Sequence, residues 1–254
     1  MMMLSIIIIS YNEEKFIGAS INSIIKALNF NSNNSFSTEI ILSDGGSTDG
    51  TIQTAKPLVD KVVISPRGRY KQLNKGAKEA KGDVLLFLHS DTKLPESALF
   101  QLKKKINNSR IIGGGFQKNW EWSKGVKILR LIKLINWLWE AFGNWTVRLI
   151  KTFPGDNAIF VKTEVFFSLD GFSPLLICED FDFVRRLKRY CRKNSKKITC
   201  INAPVITSAR RFEEKGYFKT LFNWFYIYSL WWFGLSKLNL NRRFQSYSFD
   251  PKKS

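Results

Sequence analysis

Gly82-Asp83-Val84-Leu85-Leu86-Phe87-Leu88-His89-Ser90-Asp91-Thr92 is the stretch that decides the fold. Five consecutive apolar residues, Val84 to Leu88, run into a polar tip behind a Gly-Asp pair, the pattern of a strand buried on both faces. Ligands of open α/β sheets sit outside the carboxyl ends of such strands. His89 and Asp91 fall at that end with one residue between them, close enough to share a divalent cation. Asp91 could equally cap the helix that Pro95-Glu96-Ser97 opens, and the tripeptide alone leaves both readings standing.

Upstream, strands alternate with helices. Leu4–Ile9, Glu39–Leu42 and Lys61–Ser65 read as strands. A helix opens at Asn12-Glu13-Glu14 and keeps Phe16, Ile17, Ile21, Ile24, Ile25 and Leu28 at helical spacing, and the Asn/Ser-rich 29–37 is a loop. The second strand ends in Ser43-Asp44-Gly45-Gly46-Ser47-Thr48-Asp49-Gly50-Thr51, where the glycines let backbone approach a ligand and Thr48 or Asp49 can cap the next helix. Pro66-Arg67-Gly68-Arg69-Tyr70 leads into a helix holding Leu73, Asn74, Gly76 and Ala77. This βαβαβα order predicts an α/β fold with a mostly parallel, Rossmann-like sheet flanked by helices.

Downstream, Ile111–Gln117 is a strand, and then the texture changes. Trp120, Trp122, Trp137, Trp139 and Trp145 fall among cations, with Lys127, Arg130 and Lys133 recurring every third residue. That pattern is a basic amphipathic helix, which either lies in a membrane interface or packs on its own domain with the lysines solvated. Ala158–Val161 is a strand, Leu169-Asp170-Gly171-Phe172 a turn, and Cys178-Glu179-Asp180-Phe181-Asp182 starts a helix, where acids also suit the helix dipole. Val205-Ile206 is strand-like, with Arg210 and Arg211 in a loop behind it. Tyr217 to Leu235 is apolar and aromatic but interrupted by Asn223 and Ser229, so a buried or interfacial helix is expected rather than a spanning one. The polar end, 242–254, is expected to fray. The organisation is thus a domain over 1–213, divided into 1–117, an amphipathic insertion at 118–151 and 152–213, followed by an aromatic helix and tail over 214–254.

The chain has 254 residues and a formal net charge of +19, which predicts an anionic partner: nucleic acid, a phosphorylated small molecule or an acidic leaflet. Nucleic acid is not expected, because no reading motif occurs and the aromatics sit among aliphatic residues instead of the basic run. Cys178, Cys191 and Cys200 lack paired or metal-like spacing, which fits free thiols in a reducing compartment. The N-terminus has no basic leader, and Tyr11-Asn12-Glu13-Glu14 cuts its apolar run short, so it reads as a first strand and not a secretory signal.

Six segments, 6–13, 43–51, 67–76, 82–92, 155–161 and 179–186, come in the order that resembles family 2 glycosyltransferases of the GT-A fold, over roughly residues 4–235. The chain is most similar to a bacterial subgroup named for its association with radical-SAM and selenium-related genes. The resemblance rests on Leu88-His89-Ser90-Asp91-Thr92, Gly155-Asp156-Asn157-Ala158-Ile159-Phe160-Val161 and Thr207-Ser208-Ala209-Arg210-Arg211. It implies transfer of a sugar from a nucleotide-diphosphate sugar to an acceptor hydroxyl, with inversion. By the same resemblance Asp91 holds Mg2+ or Mn2+, Asp180 with Glu179 beside it supplies the base, and Asp156 lines the acceptor side. Asp44 binds base or ribose near Ser10, Asn12 and Glu13, while Arg67 and Arg69 reach base or phosphate. Asn74, His89 and Ser90 complete the implied substrate-binding set, and Arg210 and Arg211 either close over the phosphates or are surface arginines. His89 stands where the wider family has the first Asp of an Asp-x-Asp motif, and imidazole suits Mn2+ less well than carboxylate. The Trp/Lys helix and the aromatic C-terminal segment point to a lipid-like acceptor and an anionic membrane surface. The protein is then expected as a peripheral protein on the cytoplasmic face of the plasma membrane, or else soluble in the cytoplasm. Three other readings compete: a basic nucleic-acid-binding module, a nucleotidyltransferase of the same fold, and an inactive membrane scaffold.

Overall fold

The apolar runs do become strands, and their register brings the polar tips level. The computed structural model describes residues 2–30, 37–123, 130–175 and 177–232. Strand β1 (Met3–Ser10) lies parallel to β2 (Ser37–Asp44) on one side and β4 (Val84–His89) on the other. Ser10 pairs with Asp44 and Ile9 with His89, so three candidate residues share one edge of the sheet. With β3 (Lys61–Ile64), β5 (Thr92–Lys93), β6 (Ile111–Glu121), β7 (Phe160–Lys162) and β8 (Lys197–Ser208), the eight-stranded order is β3-β2-β1-β4-β7-β6-β8-β5. β5 and β7 run antiparallel to their neighbours. The sheet is therefore mixed, with six strands sharing one direction.

Alternation along the strands builds two apolar layers. Leu4, Ile6, Ile8, Leu86 and Leu88 face α1 (Glu14–Asn29), α2 (Thr51–Ala55) and α4 (Ala98–Ile106). Ile7, Ile9, Leu85 and Phe87 face α3 (Arg69–Glu79), α6 (Thr163–Ser168) and α7 (Glu179–Lys193). Gly76 lets α3 press onto β1, since a Cβ there would sit 2.5 Å from Ile7 Cγ2. At about 25 cal/mol per Å² of apolar surface removed from water, these layers supply the main stabilisation of the fold.

A third, aromatic cluster lies at the far end of β6. Trp120 and Trp122 meet Phe212 of α8 (Arg210–Lys215) and Tyr217 and Trp224 of α9 (Tyr217–Trp232). Four expectations need correcting here. β6 continues to Glu121, so residues 118–121 belong to the sheet, and the described part of the following helix, α5, is Arg130–Ile150. Ala158 has φ +49°, which moves the start of β7 to Phe160. Arg210 and Arg211 open a short helix and not a loop, so the boundary expected at 213 falls inside α8. Neither Thr48 nor Asp49 is the cap residue of α2, which is Gly50, although Asp49 accepts from the Thr51 amide at 3.0 Å. Lys124, Lys127, the side chains of Arg130 and Lys133, and the 242–254 tail lie outside what the structure describes. Among the described residues no helix is long and apolar enough to cross a membrane.

Candidate active site

Topology alone collects the site. β1, β2 and β4 end at one edge, β7 starts there because it runs the other way, and α7 begins there before returning to β8. Gly155, in the turn before β7, is the hub. A Cβ built on it would lie 2.5 Å from Arg69 Nη2, 2.9 Å from His89 Nε2 and 3.3 Å from Asp180 Oδ2. Four segments distant in sequence therefore meet where a side chain would not fit.

The Gly155 amide donates to Asp180 Oδ2, and the Phe181 amide donates to Asp180 Oδ1 at 2.8 Å. Burial raises the Asp180 carboxyl above its ordinary value, offset in part by Arg69, whose Nη2 lies 4.0 Å from Oδ2. Glu179 is completely buried, with Arg69 Nε 2.8 Å from its Oε1. That contact is an ion pair without hydrogen-bond alignment, and neither Glu179 oxygen accepts an aligned bond among the described residues. Burial pushes its carboxyl up to about 7 against the pull of Arg69.

Arg69 also reaches His89 Nε2 at 3.1 Å. A guanidinium only donates, so Nε2 is the acceptor and the imidazole proton is on Nδ1. Burial and the Arg69 charge hold His89 neutral, well below its usual range. Beside it, burial would raise Asp156, but Lys118 at 2.7 Å outweighs burial and keeps the carboxyl well below the normal carboxylate range.

On the other side, Glu13 forms a two-pronged ion pair with Arg210, with Nη1 to Oε2 at 2.8 Å. Arg210 Nη2 lies 3.4 Å from Asp91 Oδ2. Asp91 does not cap α4, whose cap residue is Ser97. Its carboxylate receives no hydrogen bond among the described residues, and no cluster of three His, Cys, Asp or Glu that could cage a metal occurs there. One carboxylate with open coordination suits Mg2+ or Mn2+ completed by phosphates and water. Asp91 therefore fits a divalent cation, whereas His89 Nε2 is already engaged.

The first-half loops are tied from within. Ser10 Oγ donates to Asp44 Oδ2 at 2.7 Å, and Ser47 donates to the same carboxylate through both its amide and its hydroxyl. The Gly46 amide adds a fourth bond at 2.9 Å, and Asp44 is completely buried. Asn12 holds the Thr48 amide at 2.9 Å. Arg67 is exposed and lies 4.1 Å from the centre of the Tyr11 ring.

The family model described as glycosyl transferase family 2 matches residues 5–166, well over half of the chain. The chain belongs to that family. No curated protein matches it. Among solved structures, residues 1–349 of TarS from S. aureus superpose with a TM-score of 0.58 at 21% identity, covering 82% of this chain and 60% of that one. The mannosyltransferase PcManGT from Pyrobaculum calidifontis, in complex with GDP-Man and Mn2+, gives 0.58 at 17%, covering 81% and 56%. The glucosyl-3-phosphoglycerate synthase of Mycobacterium tuberculosis, with Mn2+, UDP and glucosyl-3-phosphoglycerate, gives 0.57 at 20%, covering 85% and 75%. At these identities the likeness is one of fold, and the chain spans about 60% of the TarS fragment's length.

Against the residues expected of a family 2 member, the structure gathers Arg69, His89, Asp156, Glu179 and Asp180 at one hub, with Asp91, Glu13 and Arg210 beside it. Ser90 is buried next to Asp91, while Arg211 is exposed yet close enough to act electrostatically on Glu13, His89, Asp156 and Glu179. Three of the expected residues have partners inside the fold. Asp44, expected as a nucleotide ligand, has a carboxylate that accepts four hydrogen bonds, one from Ser10 of β1 and three from Gly46 and Ser47 of its own loop. Asn74, expected on substrate, has an amide that clasps the Phe172 backbone, at 2.8 Å to the carbonyl and 2.9 Å from the N–H. Arg69, expected on base or phosphate, is held by the acidic pair.

Two residues escaped the sequence reading. Gln72 is buried and donates to the Ser10 carbonyl at 2.6 Å and the Ser43 carbonyl at 3.2 Å, tying β1 to β2. It sits in the buried stripe of α3 with Leu73, Gly76 and Ala77, so a polar residue at a core position was the available signal. Lys118 had none, because its pairing with Asp156 arises from strand order.

Proposed function

We propose that this chain transfers a sugar from a nucleotide-diphosphate sugar to an acceptor hydroxyl with inversion, Asp180 acting as base and Asp91 as ligand of Mg2+ or Mn2+. The observation that carries the reading is the meeting of Asp180, His89 and Arg69 around Gly155 at the same sheet edge as Asp91. A divalent cation, when bound, neutralises charge on the diphosphate. Asp180 takes the proton of the acceptor hydroxyl while its oxygen attacks the anomeric carbon. The bond from that carbon to the diphosphate oxygen breaks, and the nucleoside diphosphate leaves with the electron pair. A carboxyl raised by burial is the stronger base for this task. Arg69, paired with Glu179, fixes the helix start that carries Asp180. On the donor side, Ser10, Asn12, Glu13 and Asp44 shape the loop, and Arg67 over Tyr11 offers cation and ring to base or phosphate. Asp156, anchored by Lys118, lines the acceptor side. A thermal-shift panel of UDP-, GDP- and dTDP-sugars with and without Mn2+ tests the reading. A metal-dependent shift with one nucleotide is expected, and no shift with any of them would count against it.

The acceptor is proposed to be lipid-borne, with the protein seated peripherally on the cytoplasmic face of the plasma membrane. In support, Leu138, Phe142, Trp145 and Leu149 of α5 form one exposed stripe at helical spacing, as do Phe218, Phe222 and Phe225 of α9. Exposed Arg148 and Lys219 flank them, and the chain carries +19. Aromatic stripes edged by cations suit an anionic lipid interface.

A further inference from the structure

We propose that Arg210 is the resting counter-cation of Asp91 and that a divalent cation entering at Asp91 displaces its guanidinium from that carboxylate. This rests on the reading of Asp91 as the metal ligand. The seat of Arg210 is built for holding. Both terminal nitrogens donate to Glu13, Nη1 at 2.8 Å, and the guanidinium lies 4.8 Å from the centre of the Phe16 ring. Asp91 is held differently: its Oδ2 lies 3.4 Å from Nη2, an attraction of charge without a hydrogen bond.

The grip is therefore asymmetric. Glu13 has two directed bonds and a stacked ring holding its partner, and burial makes its charge depend on that partner, since its carboxyl is raised even with Arg210 in place. Asp91 gives up one longer contact. A guanidinium and a divalent cation repel each other at a few ångströms in a half-buried site, which disfavours both resting on the same carboxylate. Arg210 yields Asp91 while keeping Glu13. It is the first residue of α8, whose Phe212 packs on Trp120 at 5.0 Å and Trp224 at 5.1 Å, so the backbone end of Arg210 is anchored while its guanidinium moves.

The test is Mn2+ alone, titrated into the full chain without nucleotide and followed by electron paramagnetic resonance of the free ion. Arg210→Gln is expected to bind Mn2+ about tenfold more tightly than the parent chain, the size set by loss of one like charge near a half-buried site. Arg210→Lys should stay near the parent. Because Arg210→Gln leaves Glu13 bare, the pair Glu13→Gln/Arg210→Gln is measured too and is expected to keep the gain. Equal or weaker binding in Arg210→Gln, or loss of the gain in the pair, overturns the exchange. Asp91→Asn separates the two ideas: if it binds Mn2+ as the parent does, the ion is not held by Asp91 and the metal reading itself has failed.

Discussion

Gly155→Ala puts one methyl group into the centre of the site. Its Cβ would stand 2.5 Å from Arg69 Nη2 and 2.9 Å from His89 Nε2. An ordinary contact is about 3.5 Å, so the guanidinium must retreat by about 1 Å and lose its 3.1 Å bond to His89. The clash is with the far end of the flexible Arg69 side chain, one-third exposed, so the fold survives the move although the variant is less stable than the parent. The chemistry does not absorb it: a displacement of about 1 Å in catalytic positioning costs on the order of a hundredfold in rate. Gly114→Ala is the contrast, because its Cβ would meet the Thr199 carbonyl oxygen at 1.8 Å, and backbone in mid-sheet cannot yield. Thermal melts and turnover of a responsive nucleotide sugar should find Gly155→Ala folded and inactive, and Gly114→Ala unfolded. A folded Gly155→Ala with activity within about twofold of the parent would refute the claim that this knot sets the catalytic geometry.

Asp180→Asn should lower kcat by about two to four orders of magnitude while leaving nucleotide affinity in place, as measured by turnover beside nucleotide titration. Glu179→Gln should stabilise the protein at high pH. Its carboxyl is raised to about 7 in the folded state from an ordinary 4.5, so its contribution is full below pH 4.5 and is lost as pH rises through 7. The variant's melting temperature should therefore gain on the parent between pH 5 and pH 8, with a ceiling on the order of 2 kcal/mol since Arg69 loses a partner. Phe222→Ser with Phe225→Ser should weaken co-sedimentation with phosphatidylglycerol vesicles by at least about tenfold, each ring contributing about 1.5–3 kcal/mol when buried in lipid. Unchanged sedimentation would remove the membrane seat.

The first half of the fold was legible because its signals are local. Val84 to Leu88 reads as a strand buried on both faces from its own five residues, and Ile17, Ile21 and Ile24 keep a helical period. The tips of those strands were legible for the same reason: once parallel order is set, Ser10, Asp44 and His89 must fall at one edge. Long-range partners were not. Nothing local says that Arg69 will face Glu179 and His89 instead of a phosphate, or that Lys118 will meet Asp156, since both pairings depend on β7 entering the sheet in reverse. The internal partners of Asp44 and Asn74 were hidden for a related reason. A polar residue near a ligand loop serves equally to bind a ligand or to satisfy buried backbone, and the hydrogen-bond partners that decide between the two lie in other segments.

The central claim is direct displacement at the anomeric carbon with Asp180 as base. Proton NMR of the first product released from the responsive nucleotide sugar tests it without mediation. A product of opposite anomeric configuration to the donor is expected, formed by the parent chain and not by Asp180→Asn. A product of retained configuration, or turnover by Asp180→Asn at the parent's rate, would contradict it.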